Sequence, residues 1–402
     1  MFRHLGRKLV KNVRRRWGIG ATLVLVAGST LALAAPTVAS AAAPKAPKAC
    51  TMTPRSGHIA GIVLAEGPCP AVTAGINDRV SASDLLNASD PAVGTPPLLY
   101  HGGPVMMTQS TGPLTVTPIF WDPAGHPMAN AYKNVIDTYI TGVARESGLT
   151  SNVFSVATEY FGTNGQIKYR VRLGFPIEDT HALPASGCTV ASKDTSNIYA
   201  DGTGYNACLD DAQLQTEIDA VTAARGLPHN LSNIYVLYLP KHVESCFNPG
   251  STTTAANACT INFQPSAAYC AYHTEANSNA IYANMPFPVY ESATGFTCGT
   301  DGNFGTIESP NHNPDADVEI SPSSHEINEA ITDPDTVTGW FDSSGFENGD
   351  ECAYIFGQTH GAPGQLFNQV INGNHYITQE EFSNHDFALT GGGCVQGSRD
   401  EA

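Results

Sequence analysis

The stretch SPSSHEINEAITDP (321–334) decides how the rest of the chain is read. A helix turns about 100° per residue, so residues four apart share one face. His325 and Glu329 then project side by side, and an imidazole and a carboxylate so placed suit one metal ion. Glu326 falls on the flank of that pair. A carboxylate there can take a proton from water polarised by the ion. Ile327, Ala330 and Ile331 form the apolar anchor of the helix, and Asp333, just before Pro334, marks its end.

A third ligand has to come from outside the helix. The segment GWFDSSGFENGDEC (339–352) supplies Glu347 and Asp350 one loop downstream. If the loop folds back, Glu347 reaches the ion and Asp350 orients His325, or the two exchange roles. The acid-rich run 342–351 also admits calcium, although it lacks the EF-hand spacing. A plainer reading competes. Ser323-x-x-Glu326 has the form of a capping box, with Pro322 beside it at a helix start. On that reading Glu326 only caps the helix. A start further upstream removes the conflict but leaves Pro322 inside the helix.

Two family resemblances bear on the choice. The segment HEINEAITD (325–333) resembles the zinc helix of thermolysin-like metallopeptidases, the gluzincins, through His325, Glu326, Ala330, Thr332 and Asp333. The departure is Glu329, where that family has a second histidine. The resemblance implies a downstream glutamate as third ligand and an aspartate four residues later that braces the first histidine. Glu347, Asp350 and Glu351 stand at a similar but not identical spacing. Over roughly residues 98–396 the chain also resembles the EXORDIUM/phosphate-induced protein family and its bacterial relatives. The shared blocks are YHGGPVM (100–106), VTPIFW (116–121), NVFSVATEYF (152–161), ANMPFP (283–288), EAITDP (329–334), Trp340, ENGDEC (347–352) and NGNHY with Cys394. Plant members are secreted, associated with the cell wall, linked to growth and brassinosteroid response, and not established enzymes. The resemblance implies that they keep the carboxylates matching Glu329, Glu347 and Asp350 but lack the pair matching His325 and Glu326. This chain then looks like the version with its catalytic groups present.

Outward from the helix, the pattern is α/β or α+β. LTVTPIFW (114–121) and QIKYRVRLG (166–174) alternate as strands. NIYVLYLP (233–240) is a continuous apolar run. AAYCAYHTE (267–275) and NAIYANMPFP (279–288) read as two more strands. Helical spacing appears over 131–148, and again over 210–226 with an aspartate start and a glycine stop. The tail 352–394 alternates short strands with glycine-rich turns. The expectation is one large zincin-like domain over 98–402, with a mixed sheet, an active-site helix and a disulfide-stabilised C-terminal tail. Strand 279–288 is expected to line the cleft and pair with an extended substrate.

The N-terminus reads as a signal peptide over 1–41. Seven Lys/Arg fall within 1–16, residues 17–44 carry no charge, and VASAAA (38–43) offers small residues at cleavage spacing. Residues 42–97 read as a linker or pro-segment. All ten cysteines lie beyond the signal: Cys50, Cys69, Cys188, Cys208, Cys246, Cys259, Cys270, Cys298, Cys352 and Cys394. Their even number and the absence of a CxxC pair favour disulfides over structural zinc. The expected pairing joins nearest neighbours, with Cys352–Cys394 closing the tail. The whole chain has a formal net charge of −17, with 37 acidic residues against 20 Lys/Arg. Such a balance gives nucleic acid no counterion-release advantage, and no membrane association is expected once the signal is removed. No GxSxG elbow is present, and oxidised cysteines leave no thiolate nucleophile. The histidines His273, His312, His360, His375 and His385, with Tyr376, are lesser candidates for stabilising an oxyanion.

The functional expectation is therefore a secreted zinc peptidase acting on an extracellular protein or peptide. The alternative is a non-catalytic extracellular protein of the EXORDIUM type that binds cell-wall material or a partner.

Overall fold

A computed structural model describes residues 62–64, 89–185, 187–188, 198–199, 201–248, 259–260, 269–290 and 297–398. The expected signal peptide over 1–41 and the expected Cys50–Cys69 pairing lie outside the described residues.

The main sheet has seven strands. They are β1 (Ile62–Leu64), β2 (Leu114–Trp121), β3 (Val171–Leu173), β4 (Ile177–Asp179), β5 (Asn233–Tyr238), β6 (Tyr269–Glu275) and β7 (Ile281–Met285). Across the sheet they run β1-β6-β7-β5-β2-β3, and β4 continues beside β2 beyond the end of β3. The pairs among β7, β5, β2, β3 and β4 are parallel. The pairs β6–β7 and β1–β6 are antiparallel. The sheet is mixed, and the class is α/β.

Alternation sorts the side chains to two faces, because successive residues of a strand point to opposite sides. Ile234, Val236 and Tyr238 of β5 pack with helix α1 (Asn130–Arg145) and with a later helix. Tyr235 and Leu237 face the other way, onto Leu214, Ile218 and Val221 of α2 (Asp211–Arg225). The later helix, α3 (Pro314–Thr332), carries Val318, Ile320, Ile327, Ala330 and Ile331 into the first of these cores. A strand with both faces covered has no polar side to spare, which explains the unbroken apolar run read at 233–240.

The termini of α2 follow the sequence signals. Asp210 accepts from the Gln213 amide, Gln213 returns the bond, and Gly226 closes the helix with φ +60°. Strand 166–174 is split: Gly165–Gln166 belongs to a small hairpin and only Val171–Leu173 joins the sheet. Strand β7 cannot pair with a substrate as expected. It is hydrogen-bonded to β6 on one side and β5 on the other, so both of its edges are used.

Two pieces of the stretch read as linker or pro-segment join the fold. Ile62–Leu64 is β1, and Asp90–Pro91 pairs with Gly393–Val395. The tail contains the expected short strands, Gln369–Ile371, Asn374–Tyr376, Glu381–Phe382 and Gly393–Val395. It also holds an unforeseen helix, Asn384–Thr390, capped by Ser383. Four disulfides follow the nearest-neighbour pairing: Cys188–Cys208, Cys246–Cys259, Cys270–Cys298 and Cys352–Cys394. Such bonds belong to an oxidising environment. No helix among the described residues is long and apolar enough to cross a membrane.

Ile218 is fully buried between α2 and the sheet. Truncation there leaves a cavity as well as losing transfer energy. Ile218→Ala is expected to lower stability by about 2–5 kcal/mol in urea unfolding. Zinc uptake at His325 by the folded variant should match wild type, because α2 lies on the face of the sheet away from α3.

Candidate metal centre

Helix α3 begins nine residues before the expected capping box. Its cap is Asn313, whose side chain accepts from the Ala316 amide, and Pro314 occupies the first turn. The acids Asp315 and Asp317 follow in that turn, where the helix dipole favours negative charge. The capping-box reading of Ser323 and Glu326 is therefore overturned. The Ser323 hydroxyl donates to the Glu319 carbonyl, and the Glu326 carboxyl faces a histidine. Pro322 sits inside the helix, where it has no N–H to offer the Val318 carbonyl. Packing pays that cost: every residue from Ala316 to Thr332 is buried.

Burial on all sides carries the polar positions of α3 inward with the apolar ones. His325, Glu326, Glu329 and Asp333 are all fully buried. Four elements close around them. From the helix, His325 Nε2 lies 2.8 Å from Glu329 Oε1. From the loop after it, Asp350 Oδ1 stands 3.7 Å from His325 Nε2, and the Asp350 amide donates to Glu329 Oε1 at 2.9 Å. From the tail, Gln379 Oε1 accepts from His325 Nδ1 at 2.8 Å. From β6, His273 Nδ1 lies 3.2 Å from Glu326 Oε2 and 3.7 Å from Glu329 Oε2.

The tautomers follow from the partners. Gln379 Oε1 can only accept, so His325 carries a hydrogen on Nδ1 and turns Nε2 toward Glu329 and Asp350. Burial pulls its pKa down, but those acids hold it well above the ordinary imidazole range, so without an ion Nε2 is protonated as well. The Asp333 carbonyl accepts from His273 Nε2 at 3.0 Å, so His273 turns Nδ1 toward Glu326 and Glu329. Two triads result, His325/Glu329/Asp350 and His273/Glu326/Glu329. Within each, the ligand atoms lie within 4.8 Å of one another.

The loop folds back, and of the two acids left open as the ligand it is Asp350 that comes forward. Asp350, not Glu347, faces His325. Glu347 rests its carboxyl against those of Glu329 and Asp333. Gln379, not Asp350, steadies the far side of the imidazole. Gly349 makes this possible, since a Cβ there would stand 2.7 Å from His325 Nδ1. Asp342 is occupied elsewhere, accepting from the amides of Thr95, Ser344 and Phe346. His375 stacks on Phe367 at 3.8 Å, Tyr376 packs against Tyr139, and His312 meets Gln365, so these make their contacts away from the triads.

His273, Asp333 and Gln379 complete the centre, and each had a different visibility in the sequence. His273 alternates with the buried Tyr272, which places it on the α3 side of β6. Asp333 sits one turn beyond Glu329 on the helix face. Gln379 is 54 residues from its partner and gives no local signal.

The electrostatics are severe. Burial raises the carboxyl of Glu326 to about 7, with Glu329 adding to the rise and His273 opposing it. Burial likewise lifts Asp333 and Asp350 to about 7. Glu347 is pushed well above the carboxylate range by burial and by its neighbours Glu329 and Asp333. Burial pulls His273 down, but the hydrogen bond to Glu326 and the charges of Glu326 and Glu329 together outweigh it, and the net position is about 8. Glu329 alone is held low, because His325 beside it overcomes burial. With the acids ionised and the imidazole neutral, several atoms have no hydrogen-bond partner: His325 Nε2, Glu329 Oε2, both carboxyl oxygens of Asp333 and both of Glu347; only retained protons shared among them would supply one. Buried polar atoms are seldom left so. A divalent cation among them answers both the missing partners and the excess of acid, so the residues present fit a metal.

Comparison with family models, with curated proteins and with solved structures found no match.

These shifts fix a sign. A carboxyl raised to about 7 keeps its proton in the folded chain while the unfolded chain has released it, which costs stability as pH climbs from about 4.5 toward 7. His273, raised to about 8, adds stability below about 6.5 that is lost through pH 8. Both run the same way, and Glu329 runs against them. Metal-stripped protein is therefore expected to melt at a lower temperature at pH 8 than at pH 5.5. Added zinc should raise the melting temperature more at pH 8, because binding displaces protons. Calorimetry at the two pH values tests this, and an equal zinc effect at both would contradict it.

Proposed function

We propose that the chain is a secreted, metal-dependent hydrolase with a zincin-like site, zinc as its ion, and a peptide bond of an extracellular protein or peptide as its substrate. One observation carries the reading. His325 Nε2 is buried 2.8 Å from Glu329 Oε1, in no hydrogen-bond geometry with it, with Asp350 on its other side. Once an ion displaces its proton, an imidazole nitrogen turned to two carboxylates is the donor set of a zinc ligand group. The two imidazoles of the centre favour zinc over calcium, which prefers oxygen alone.

His325, Glu329 and Asp350 would hold the ion, and Glu347 would brace Glu329 from behind. The ion would supply a Lewis acid and lower the pKa of water near neutrality. Glu326 stands on the flank of the ligand pair, as the helical turn requires. Its carboxyl takes and returns a proton, and His273 Nδ1 keeps it aimed. The carboxyl's rise to about 7 by burial suits exchange near neutral pH. The Asp350 side chain, 11 % exposed, marks where the centre comes nearest to solvent. The four disulfides and the basic-then-apolar N-terminus support export.

A second reading rests on a specific observation, the burial of all seven acid and imidazole groups at the centre. On that reading the ion only stabilises a non-catalytic extracellular protein of EXORDIUM type that binds cell-wall material.

Four variants test the readings and the ligand assignment. Glu326→Gln keeps the size of the side chain and loses the base. Cleavage of a fluorogenic peptide library is expected to fall roughly 100-fold or more, with zinc content and melting temperature unchanged. His325→Ala is expected to lose the zinc held at this centre, and activity with it. Glu329→His is expected to retain zinc. Stoichiometric zinc without peptide cleavage, and a silent Glu326→Gln, would establish the second reading. A Glu329→Ala protein that binds zinc as well as wild type would defeat the ligand assignment.

A further inference from the structure

A second cluster of metal-ligating groups lies at the opposite side of the sheet, where β4 ends and α2 passes. Asp179 is the last residue of β4, and its backbone is fixed by pairing with Trp121 and by the Asp122 amide. Two residues on, Trp121 Nε1 donates to the His181 carbonyl at 2.9 Å, and the His181 amide donates to Asp179 Oδ1 at 3.1 Å. These bonds set the start of the loop. They bring His181 Nδ1 to 3.1 Å from Asp179 Oδ1 and 2.6 Å from Glu217 Oε1, on the second turn of α2. The carboxyls of Asp179 and Glu217 also lie against each other. Ligand atoms of all three residues lie within 4.8 Å of one another.

This cluster differs from an ordinary surface ion pair in one respect. The Asp179 side chain is only 3 % exposed, and its second oxygen, Oδ2, is buried with no donor to meet it unless Glu217 keeps a proton. Two carboxyls pressed together repel, and one imidazolium cancels only one of their charges. The ligand atoms around a tetrahedral zinc stand roughly 3.3 Å apart, given bonds of about 2.0–2.1 Å. The spacings of 2.6 and 3.1 Å need only a small adjustment to meet that. The His181 side chain is 57 % exposed, so water can complete the coordination.

The geometry points to Asp179, His181 and Glu217 as a second cation site, independent of α3, that takes one divalent transition-metal ion of zinc type. One imidazole with two carboxylates is a borderline donor set, which selects zinc, cobalt or nickel over calcium and magnesium. Bound there, the ion clasps the loop 180–185 to α2. The Gln213 side chain, donating to the Ala185 carbonyl, already secures the far end of that loop. The site is half open to solvent, so its ion should exchange faster than one enclosed by α3.

The test uses the full-length chain with its disulfides intact, stripped by chelator and titrated with zinc chloride. Metal analysis after dialysis should find one more zinc per chain in wild type than in the double variant His181→Ala/Glu217→Gln. A His325→Ala chain, which lacks the centre on α3, should still take up one zinc. Hydrogen exchange gives a second readout: zinc should slow exchange in residues 180–185 of wild type and of His325→Ala, and leave the double variant unchanged. Asp179→Asn, which keeps the backbone bonds, should weaken zinc uptake at least tenfold. Equal zinc uptake by wild type and double variant, or no protection of 180–185 by zinc, would leave a protonated His181 between two acids as the whole account and overturn the site.

Discussion

The structure turns on a burial that elementary electrostatics resists. Helix α3 is packed on every side, and its polar face is as deeply buried as its apolar one. Glu326, Glu329 and Asp333 project into a space that Glu347 and Asp350 enter from the following loop. Five carboxyls with two imidazoles cannot all be ionised in a region of low dielectric. Ion-free, the protein answers with protons, and the raised titration points of Glu326, Asp333, Glu347 and Asp350 are that answer. With an ion, the same groups become ligands. The rest of the fold then reads as a frame around this constraint. Strand β6 supplies His273, the tail supplies Gln379, and α1 and the sheet press the helix into place.

Much of the frame was legible because it is local. The strand Leu114–Trp121 and the helix Asp211–Arg225 follow directly from alternation, a capping box and a glycine stop. The four observed disulfides follow from adjacency along the chain. The start of α3 was legible too, in Asn313-Pro314 with two acids after it, but Pro322 and Ser323 offered a second start that obscured it. Tertiary packing chose the longer helix, since only a helix reaching back to Pro314 brings Val318 and Ile320 into the core.

The site was legible where helical geometry governs it. His325, Glu326 and Glu329 stand as one face requires. The partition between Glu347 and Asp350 was not legible, because it depends on the path of a loop. That path is set by Gly349 passing beside the His325 ring and by the Asp350 amide finding Glu329. His273 and Gln379 come from elements 52 and 54 residues away from His325, and no spacing rule connects such positions. The cluster at Asp179, His181 and Glu217 was invisible for the same reason.

The bond between Cys352 and Cys394 makes the candidate site depend on the redox state of the chain. Cys352 follows Asp350 by two residues in the same short turn, and Cys394 lies on a strand paired with Glu381–Phe382, beyond Gln379. One covalent link therefore joins the segment that presents Asp350 to the segment that presents Gln379. While both sulfurs are still thiols, nothing covalent holds these two halves of the His325 cradle in register. Reduction of that one bond would free the Asp350 segment from the Gln379 segment and loosen the cradle around His325.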